Sequence, residues 1–251
     1  LATLAARAEE DKIRALLAGE ADANDAYIEV HAGAGGIGCP AITYLAAAGV
    51  GSLTIIDDDV VELSNLQRQP LFTDGDIGAR KAVVAAAAAR QINPHVKAIA
   101  AAQRLDDQNS TPLLTGASLI LDGCDNFGTR LAVNRAAVAL QIPLLSAAIG
   151  AFEGQVALYE GWRAGSPCYA CLVGDNPNQE GLNCAETGVM GALAGMIGTM
   201  AALEAVRALE DGVLTDIREG DVGAILGWGF APWSGGPFSW LDILGAARAV
   251  E

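Results

Sequence analysis

A glycine-rich turn ahead of a predicted helix constrains this 251-residue chain more than any other feature. Gly33 and Gly35 lie between a short strand-like segment and residues 37–48, whose apolar side chains recur at helical spacing, and Gly38 is the second residue of that range. Glycines at this spacing permit a tight turn, and they let backbone N–H groups approach phosphate oxygens at the positive end of a helix. Such sites also need a carboxylate about 20 residues further on for the ribose hydroxyls, and Asp57 supplies it. The pattern predicts a nucleotide site.

The residues that follow Asp57 predict what kind of nucleotide is bound. Asp59 comes next, and Asn65, Arg68 and Lys81 lie in the polar segment after it. An enzyme that holds a dinucleotide intact needs no such bases, whereas one that splits a triphosphate must neutralise the charge that it releases. The alternative for Arg68 and Lys81 is a solvated loop and a helix start. We expect a triphosphate at this site.

A second acidic cluster follows a later predicted strand. Asp122, Asp125 and Asn126 come directly after the apolar residues 119–121. Taken with the glycine turn, the cluster adds carboxylates that suit a metal ion beside a nucleotide. We expect Asp125 and Asn126 to belong to the same site as Asp57.

Composition excludes several classes of partner. The formal net charge is −15, the isoelectric point is about 4.4, and 52% of residues are apolar. This charge argues against binding to nucleic acid or to an anionic membrane. Residues 187–203 form an uncharged stretch near the lower length limit for spanning a bilayer, but their regularly spaced glycines favour a packed helix. Residues 1–17 carry charges throughout, unlike a signal peptide, so we expect a cytoplasmic protein without a membrane span.

Strand-like and helical segments alternate along the chain. Helices are predicted over 2–17, 37–48, 81–92, 129–140 and 187–203, and strands over 27–32, 53–56, 96–101, 119–121, 143–147 and 155–159. This alternation predicts an α/β, Rossmann-like, doubly wound and mostly parallel sheet with helices on both faces. The first strand does not fit easily, because Tyr27–Ala32 alternates as a half-exposed strand does, whereas the central strands of such sheets are apolar throughout.

The motifs in the middle of the chain resemble those of the ThiF and MoeB adenylyltransferases, which are relatives of the ubiquitin-activating enzymes. The resemblance covers about 37–209, in order and at matching spacing. Its motifs are Asp57-x-Asp59, the run from Ser64 to Gln69, Gly78-x-x-Lys81, Ile92-Asn93-Pro94, Asp122-x-x-Asp125-Asn126, Pro143 to Ser146, Glu153-Gly154-Gln155, Cys168-x-x-Cys171 and Cys184-x-Glu186-x-Gly188-Val189-Met190.

This resemblance implies ATP-dependent adenylation of the C-terminal carboxylate of a ubiquitin-like sulfur carrier that ends in Gly-Gly. Arg68 and Lys81 would hold phosphates during catalysis, Asn65 would orient them, and Asp57 would bind the ribose with support from Asp59. Asp125 would bind Mg²⁺ or position the nucleotide. The resemblance also implies a homodimer in which an N-terminal arginine comes from the neighbouring subunit. Arg7 and Arg14 do not match that motif.

The cysteines allow two further hypotheses. Cys168 and Cys171 form half of the four-cysteine zinc site that the resemblance implies, and the segment that would supply the second pair is different here. A reduced pair without metal is therefore the expected state. Cys184 matches a position that takes the acyl group covalently in parts of the superfamily. The alternative for Cys184 is a loop cysteine without chemistry.

The ends of the chain resemble other proteins. Residues 1–36 resemble a stretch of bacterial peptide-chain release factors, and residues from about 219 resemble a dehydrogenase segment of fatty-acid-oxidation multienzymes. We therefore expect an atypical N-terminal segment over 1–36, an adenylyltransferase core over 37–209 and an atypical C-terminal segment over 210–251. Two alternatives stay open: an NAD-binding Rossmann oxidoreductase, and an inactive composite that at most binds nucleotide.

Overall fold

Six strands form one sheet in the computed structural model, which describes residues 27–31, 34–150, 152–176 and 189–211. The sheet order is β3-β2-β1-β4-β5-β6, and every strand pairs in parallel except β6, which is antiparallel to β5. The strands are β1 (Tyr27–His31), β2 (Ser52–Ile56), β3 (Lys97–Ala101), β4 (Leu119–Asp122), β5 (Leu144–Ile149) and β6 (Gly154–Tyr159). The predicted α/β class and the mostly parallel sheet are confirmed.

Helices cover both faces of this sheet. One core includes residues of the first, second and last helices, and another includes residues of the three helices between them. The helices are α1 (Gly38–Ala47), α2 (Lys81–Ile92), α3 (Ser110–Leu114), α4 (Phe127–Leu140), α5 (Tyr169–Val173) and α6 (Gly191–Asp211). The short helices α3 and α5 and the 3₁₀ turns Leu63–Asn65 and Asp74–Asp76 were not predicted. The predicted helix over residues 2–17 lies outside the described residues.

The strand sequences explain their places in the sheet. Every residue of β4 is buried, as an apolar strand covered by helices on both faces requires. The alternating β1 nevertheless lies at the centre, where Ile28 is in register with Leu53 on one side and with Leu119 on the other. The structure describes the backbone pairing of this strand and not its side chains.

Small residues let the helices lie close to the sheet. The alanine run of α2 buries Ala85, Ala86 and Ala89, and α2 ends at Ile92 before Asn93-Pro94, as predicted. The amide nitrogen of Asn93 donates to the carbonyl oxygen of Ala46 at 3.1 Å, which ties the end of α2 to α1. The two helices that follow the first two strands are therefore held against each other.

Helix α6 packs as part of the core. By length and composition alone Gly191–Leu209 could cross a membrane. In the fold it contacts α1, β5 and β6, and Ala194, Ile197 and Ala201 are buried there. These contacts support the packed helix that the glycine spacing predicts, although the helix begins later and ends later than the predicted range.

Candidate functional site

The predicted site residues meet where the parallel strands end. The sheet order reverses between β1 and β4, and ligands of doubly wound sheets bind in the crevice at such a reversal. A cavity of about 600 Å³ opens there. Residues from five predicted motifs line it, namely Gly35, Asp57, Asp59, Asn65, Arg68, Lys81 and Asp125. The structure therefore brings together motifs that are up to 90 residues apart in the sequence.

Asp57 is fixed at the end of β2 by the turns around it. Its carboxylate accepts hydrogen bonds from the backbone N–H of Ala34 at 3.2 Å and of Asp59 at 2.8 Å. Only 7% of Asp57 is exposed, and burial raises the pKa of its carboxyl, while these hydrogen bonds and Lys81 lower it in part. One acid thus links the glycine turn to the acidic turn, and it lines the cavity.

Lys81 begins α2 and is held at the cavity wall. Its ammonium contacts the carboxylate of Asp59 at 2.9 Å, and its backbone N–H donates to the carbonyl oxygen of Asp59. Lys81 is 6% exposed, whereas the side chain of Asp59 is 67% exposed. An ammonium has three N–H donors, so Lys81 can keep this contact and still bind an anion in the cavity.

Arg68 lies beside the glycine turn. One of its guanidinium nitrogens donates to the carbonyl oxygen of Ser64 at 3.0 Å, which leaves further N–H groups for an anion. A methyl group added to Gly36 would lie 3.5 Å from the carbonyl oxygen of Arg68 and 3.1 Å from the Cβ of Ala194. The turn, the arginine segment and α6 are therefore packed against one another.

The two predicted asparagines have structural contacts of their own. The side-chain oxygen of Asn65 accepts from the backbone N–H of Glu62 at 3.2 Å, and Asn65 is buried. The side-chain oxygen of Asn126 accepts from the backbone N–H of Thr129 at 3.0 Å and so caps α4. Asn65 lines the main cavity, whereas Asn126 lines a small neighbouring cavity beside Asp58.

Asp125 has the chemistry that a magnesium ion needs. Its carboxylate is exposed in the main cavity, and no other residue in the described part of the chain forms a hydrogen bond or ion pair with it. Magnesium in nucleotide sites is often held by one or two carboxylates together with phosphates and water. Asp125 fits that requirement.

A buried arginine joins the segment after β4 to β5. Arg130 donates to the carbonyl oxygen of Cys124 at 2.7 Å, to the hydroxyl of Ser146 at 3.1 Å and to the carbonyl oxygen of Ala147 at 2.8 Å. Its guanidinium also lies 5.8 Å from the ring centre of Tyr169. Arg130 lies outside the motifs from which the site was predicted.

Two predicted residues fall outside the description. Gly33 and Cys184 are not among the described residues, so their expected roles in phosphate binding and covalent catalysis stay predictions. Gly38 is buried in the first turn of α1, behind the residues that line the cavity.

The cysteine pair fits half of a zinc site. The Cys168 and Cys171 sulfurs are 3.5 Å apart, close to the separation of about 3.8 Å that two 2.3 Å bonds on a tetrahedral zinc require. Burial raises the pKa of Cys39 to about 12 and that of Cys124 well above its usual range, which disfavours the thiolates that zinc binds. The described residues thus supply two ligands where a closed site needs four.

We predict that the purified protein contains much less than one zinc ion per chain. Two thiolates hold zinc far more weakly than four, so the metal should be lost during purification. Elemental analysis measures the stoichiometry, and a Cys168→Ser variant provides the control for metal bound elsewhere. One zinc per chain in the parent protein, lost in this variant, would contradict the prediction and require ligands from outside the described residues.

The chain is similar in sequence to known adenylyltransferases. The chain is 44% identical over 180 residues to the molybdopterin-synthase adenylyltransferase of Salmonella typhimurium, an alignment that covers 70% of each protein. It is 45% identical over 178 residues to the sulfur carrier protein ThiS adenylyltransferase of Escherichia coli, again with 70% of each covered. The SAMP-activating enzyme E1 of Haloferax volcanii is 44% identical over 71% of this chain and 66% of its own length.

Solved structures show the same fold. E. coli MccB with MccA-N7isoASN superposes with a TM-score of 0.63 at 22% identity. The superposition covers 73% of this chain and 56% of MccB, so the chain spans a little over half of that structure. The model of the ThiF family matches residues 22–221, a range that begins before β1 and ends beyond α6. The chain therefore belongs to the ThiF family.

Proposed function

We propose that this chain transfers AMP from ATP to the C-terminal carboxylate of a ubiquitin-like sulfur-carrier protein that ends in Gly-Gly. One observation carries the proposal: a single cavity combines a buried ribose-type acid, two bases and an exposed carboxylate, Asp57, Arg68, Lys81 and Asp125. The names of the similar adenylyltransferases support a sulfur carrier as the substrate class. Carrier-dependent exchange between ATP and pyrophosphate tests it.

The reaction requires positive charge around the α-phosphate of ATP and the leaving pyrophosphate. A carboxylate oxygen of the carrier attacks the α-phosphorus of ATP and forms a new P–O bond. The bond from that phosphorus to the bridging oxygen of the β-phosphate breaks, and its electron pair leaves with pyrophosphate. Negative charge grows on the α-phosphate and on the leaving group, so positioned cations lower the barrier. Arg68 and Lys81 are the cations that we assign to this task.

The remaining residues hold the substrate in position. Asp57 accepts from the ribose hydroxyls, and Asp59 keeps Lys81 directed toward the phosphates through their 2.9 Å contact. Asp125 would hold Mg²⁺, which supplies charge neutralisation at the triphosphate. Gly150, Glu153 and the start of β6 also line the cavity, and we assign the carrier's C-terminus to them.

Four further expectations belong to the same proposal. Cys184 is retained as a candidate for a covalent step. A homodimer is the expected assembly, which sedimentation equilibrium can test. The cytoplasm is the expected location. The unusual ends, 1–36 and 210–251, are retained as segments of other origin. An NAD-binding oxidoreductase is the alternative, but it gives no role to Arg68 and Lys81.

We predict that replacing Asp57 by Asn weakens ATP binding by about tenfold to a hundredfold, because the neutral amide loses charge-assisted hydrogen bonds to the ribose. Isothermal titration calorimetry with Mg²⁺ and ATP measures the change. Asp74→Asn serves as the control, since Asp74 is exposed and does not line the cavity. Tight binding of NAD by the parent protein, with no binding of ATP, would contradict the proposed site.

A further inference from the structure

The side-chain oxygen of Gln69 is buried at the nucleotide cavity without a protein partner. Gln69 is 3% exposed and lines the cavity directly after Arg68. Among the described residues, none donates a hydrogen bond to its Oε1 atom. Buried polar groups in proteins almost always have a hydrogen-bond partner, and an exception inside a binding site calls for a partner from outside the protein, namely a water, an ion or a ligand.

The donors that line the cavity with Gln69 each have another contact. The ammonium of Lys81 contacts Asp59, and a guanidinium nitrogen of Arg68 donates to the carbonyl oxygen of Ser64. The amide nitrogen of Asn65 donates to the hydroxyl of Ser64 at 3.3 Å. The remaining N–H groups of Arg68 and Lys81 are assigned to the phosphates in the proposed reaction, so the donor for Gln69 is one that arrives with the ligand.

The chemistry of ATP narrows the choice of donor. An ionised triphosphate has only acceptor oxygens, the ribose hydroxyls are assigned to Asp57 at the end of β2, and the amino group of adenine lies at the opposite end of ATP from the phosphates. A magnesium ion bound to phosphates keeps several of its waters, and each of them is a strong hydrogen-bond donor. Gln69 lies beside Arg68, on the wall assigned to the phosphates.

We infer that the Gln69 side-chain oxygen accepts a hydrogen bond from a water on the Mg²⁺ of bound MgATP. Gln69 is thus a positioning residue that acts on the metal through water, while Asp125 acts on it directly. This inference rests on the proposed use of ATP, and it gives Gln69 a role that an amide side chain can perform and an apolar one cannot.

Calorimetry of ATP binding without carrier, with a chelator or with millimolar Mg²⁺, tests the inference. Met has a similar length but no comparable acceptor, so Gln69→Met should bind metal-free ATP as the parent protein does. The same variant should lose about threefold to tenfold of its affinity when Mg²⁺ is present. Gln69→Glu should show the opposite behaviour. Its affinity for ATP should depend more steeply on Mg²⁺ than that of the parent protein, because a carboxylate accepts more strongly from water and repels uncomplexed ATP.

Gln67→Met is the matched control. Gln67 lies two residues earlier on the same segment, is exposed and does not line the cavity, so its replacement should leave both affinities unchanged.

Equal losses of ATP affinity with and without Mg²⁺ in Gln69→Met, or no loss, would overturn the inference. If Gln69→Met does not fold, the test rests on Gln69→Glu alone. An ATP affinity in Gln69→Glu that depends on Mg²⁺ no more steeply than in the parent protein would then overturn the inference. Failure of the parent protein to bind ATP under either condition would instead contradict the proposed function.

Discussion

Replacing Lys81 by Ala should lower the rate of carrier-dependent ATP–pyrophosphate exchange at least about a hundredfold, while ATP affinity falls much less. The charge that Lys81 neutralises grows mainly in the transition state, and loss of one such positioned donor costs about 10²–10³-fold in rate. The same result is expected for Arg68→Ala, because its free N–H groups face the same cavity. Exchange kinetics and calorimetry together separate the two effects.

The structure supplies a close control for this experiment. Arg80 precedes Lys81, is exposed, and donates to the backbone carbonyl oxygen of Asp58 outside the main cavity. Arg80→Ala removes the same charge one residue away and should exchange at nearly the parent rate. Parent-like exchange in Lys81→Ala or in Arg68→Ala would show that the α-phosphate is stabilised by other groups than those proposed.

A methyl group on Gly198 should destabilise the protein and weaken ATP binding, whereas the same change at Gly195 should not. A Cβ atom on Gly198 would overlap the carbonyl oxygen of Ile37 and the ring of Pro40, but one on Gly195 would meet nothing within 4 Å. Overpacking of this kind costs about 1–3 kcal/mol. Alanine in an open helical position is favoured over glycine by up to about 1 kcal/mol.

The two variants, which lie on the same helix, should therefore change the free energy of unfolding in opposite directions. Urea denaturation of Gly198→Ala and Gly195→Ala measures the free energy of unfolding, and calorimetry measures ATP affinity. Affinity should fall only in Gly198→Ala, because Ile37 belongs to the turn that carries the phosphates. Gly191→Ala provides a second test, since its Cβ would overlap the carbonyl oxygen of Gln67 next to Arg68. Equal stability of all three variants would contradict the packing described here.

The sequence predicted the fold because its signals are local. Apolar runs, the helix stop at Asn93-Pro94 and the glycine turn each depend on neighbouring residues, and the structure has strands and helices where they indicate them. The alternating pattern of the first strand predicts which of its faces is exposed and not its neighbours in the sheet, which are β2 and β4. Pairing with both neighbouring strands fixes its position whatever its own pattern favours.

The parts of the site that the sequence did not predict depend on distant contacts. The partners of Arg130 include Ser146 and Ala147, 16 and 17 residues further along the chain, and no local pattern reveals them. The unpartnered oxygen of Gln69 is likewise a property of burial in three dimensions. Glycine spacing on α6 predicted close packing, but only the fold distinguishes Gly198, in contact, from Gly195, in open space.

Exchange of labelled pyrophosphate into ATP, with sulfur-carrier proteins that end in Gly-Gly, tests the central claim most directly. The proposed function predicts exchange that requires Mg²⁺ and the carrier and that disappears when the carrier's terminal glycine is deleted, because the attacking carboxylate is then misplaced. A protein that binds MgATP but gives no exchange with any Gly-Gly carrier would contradict the claim and support an inactive nucleotide-binding composite.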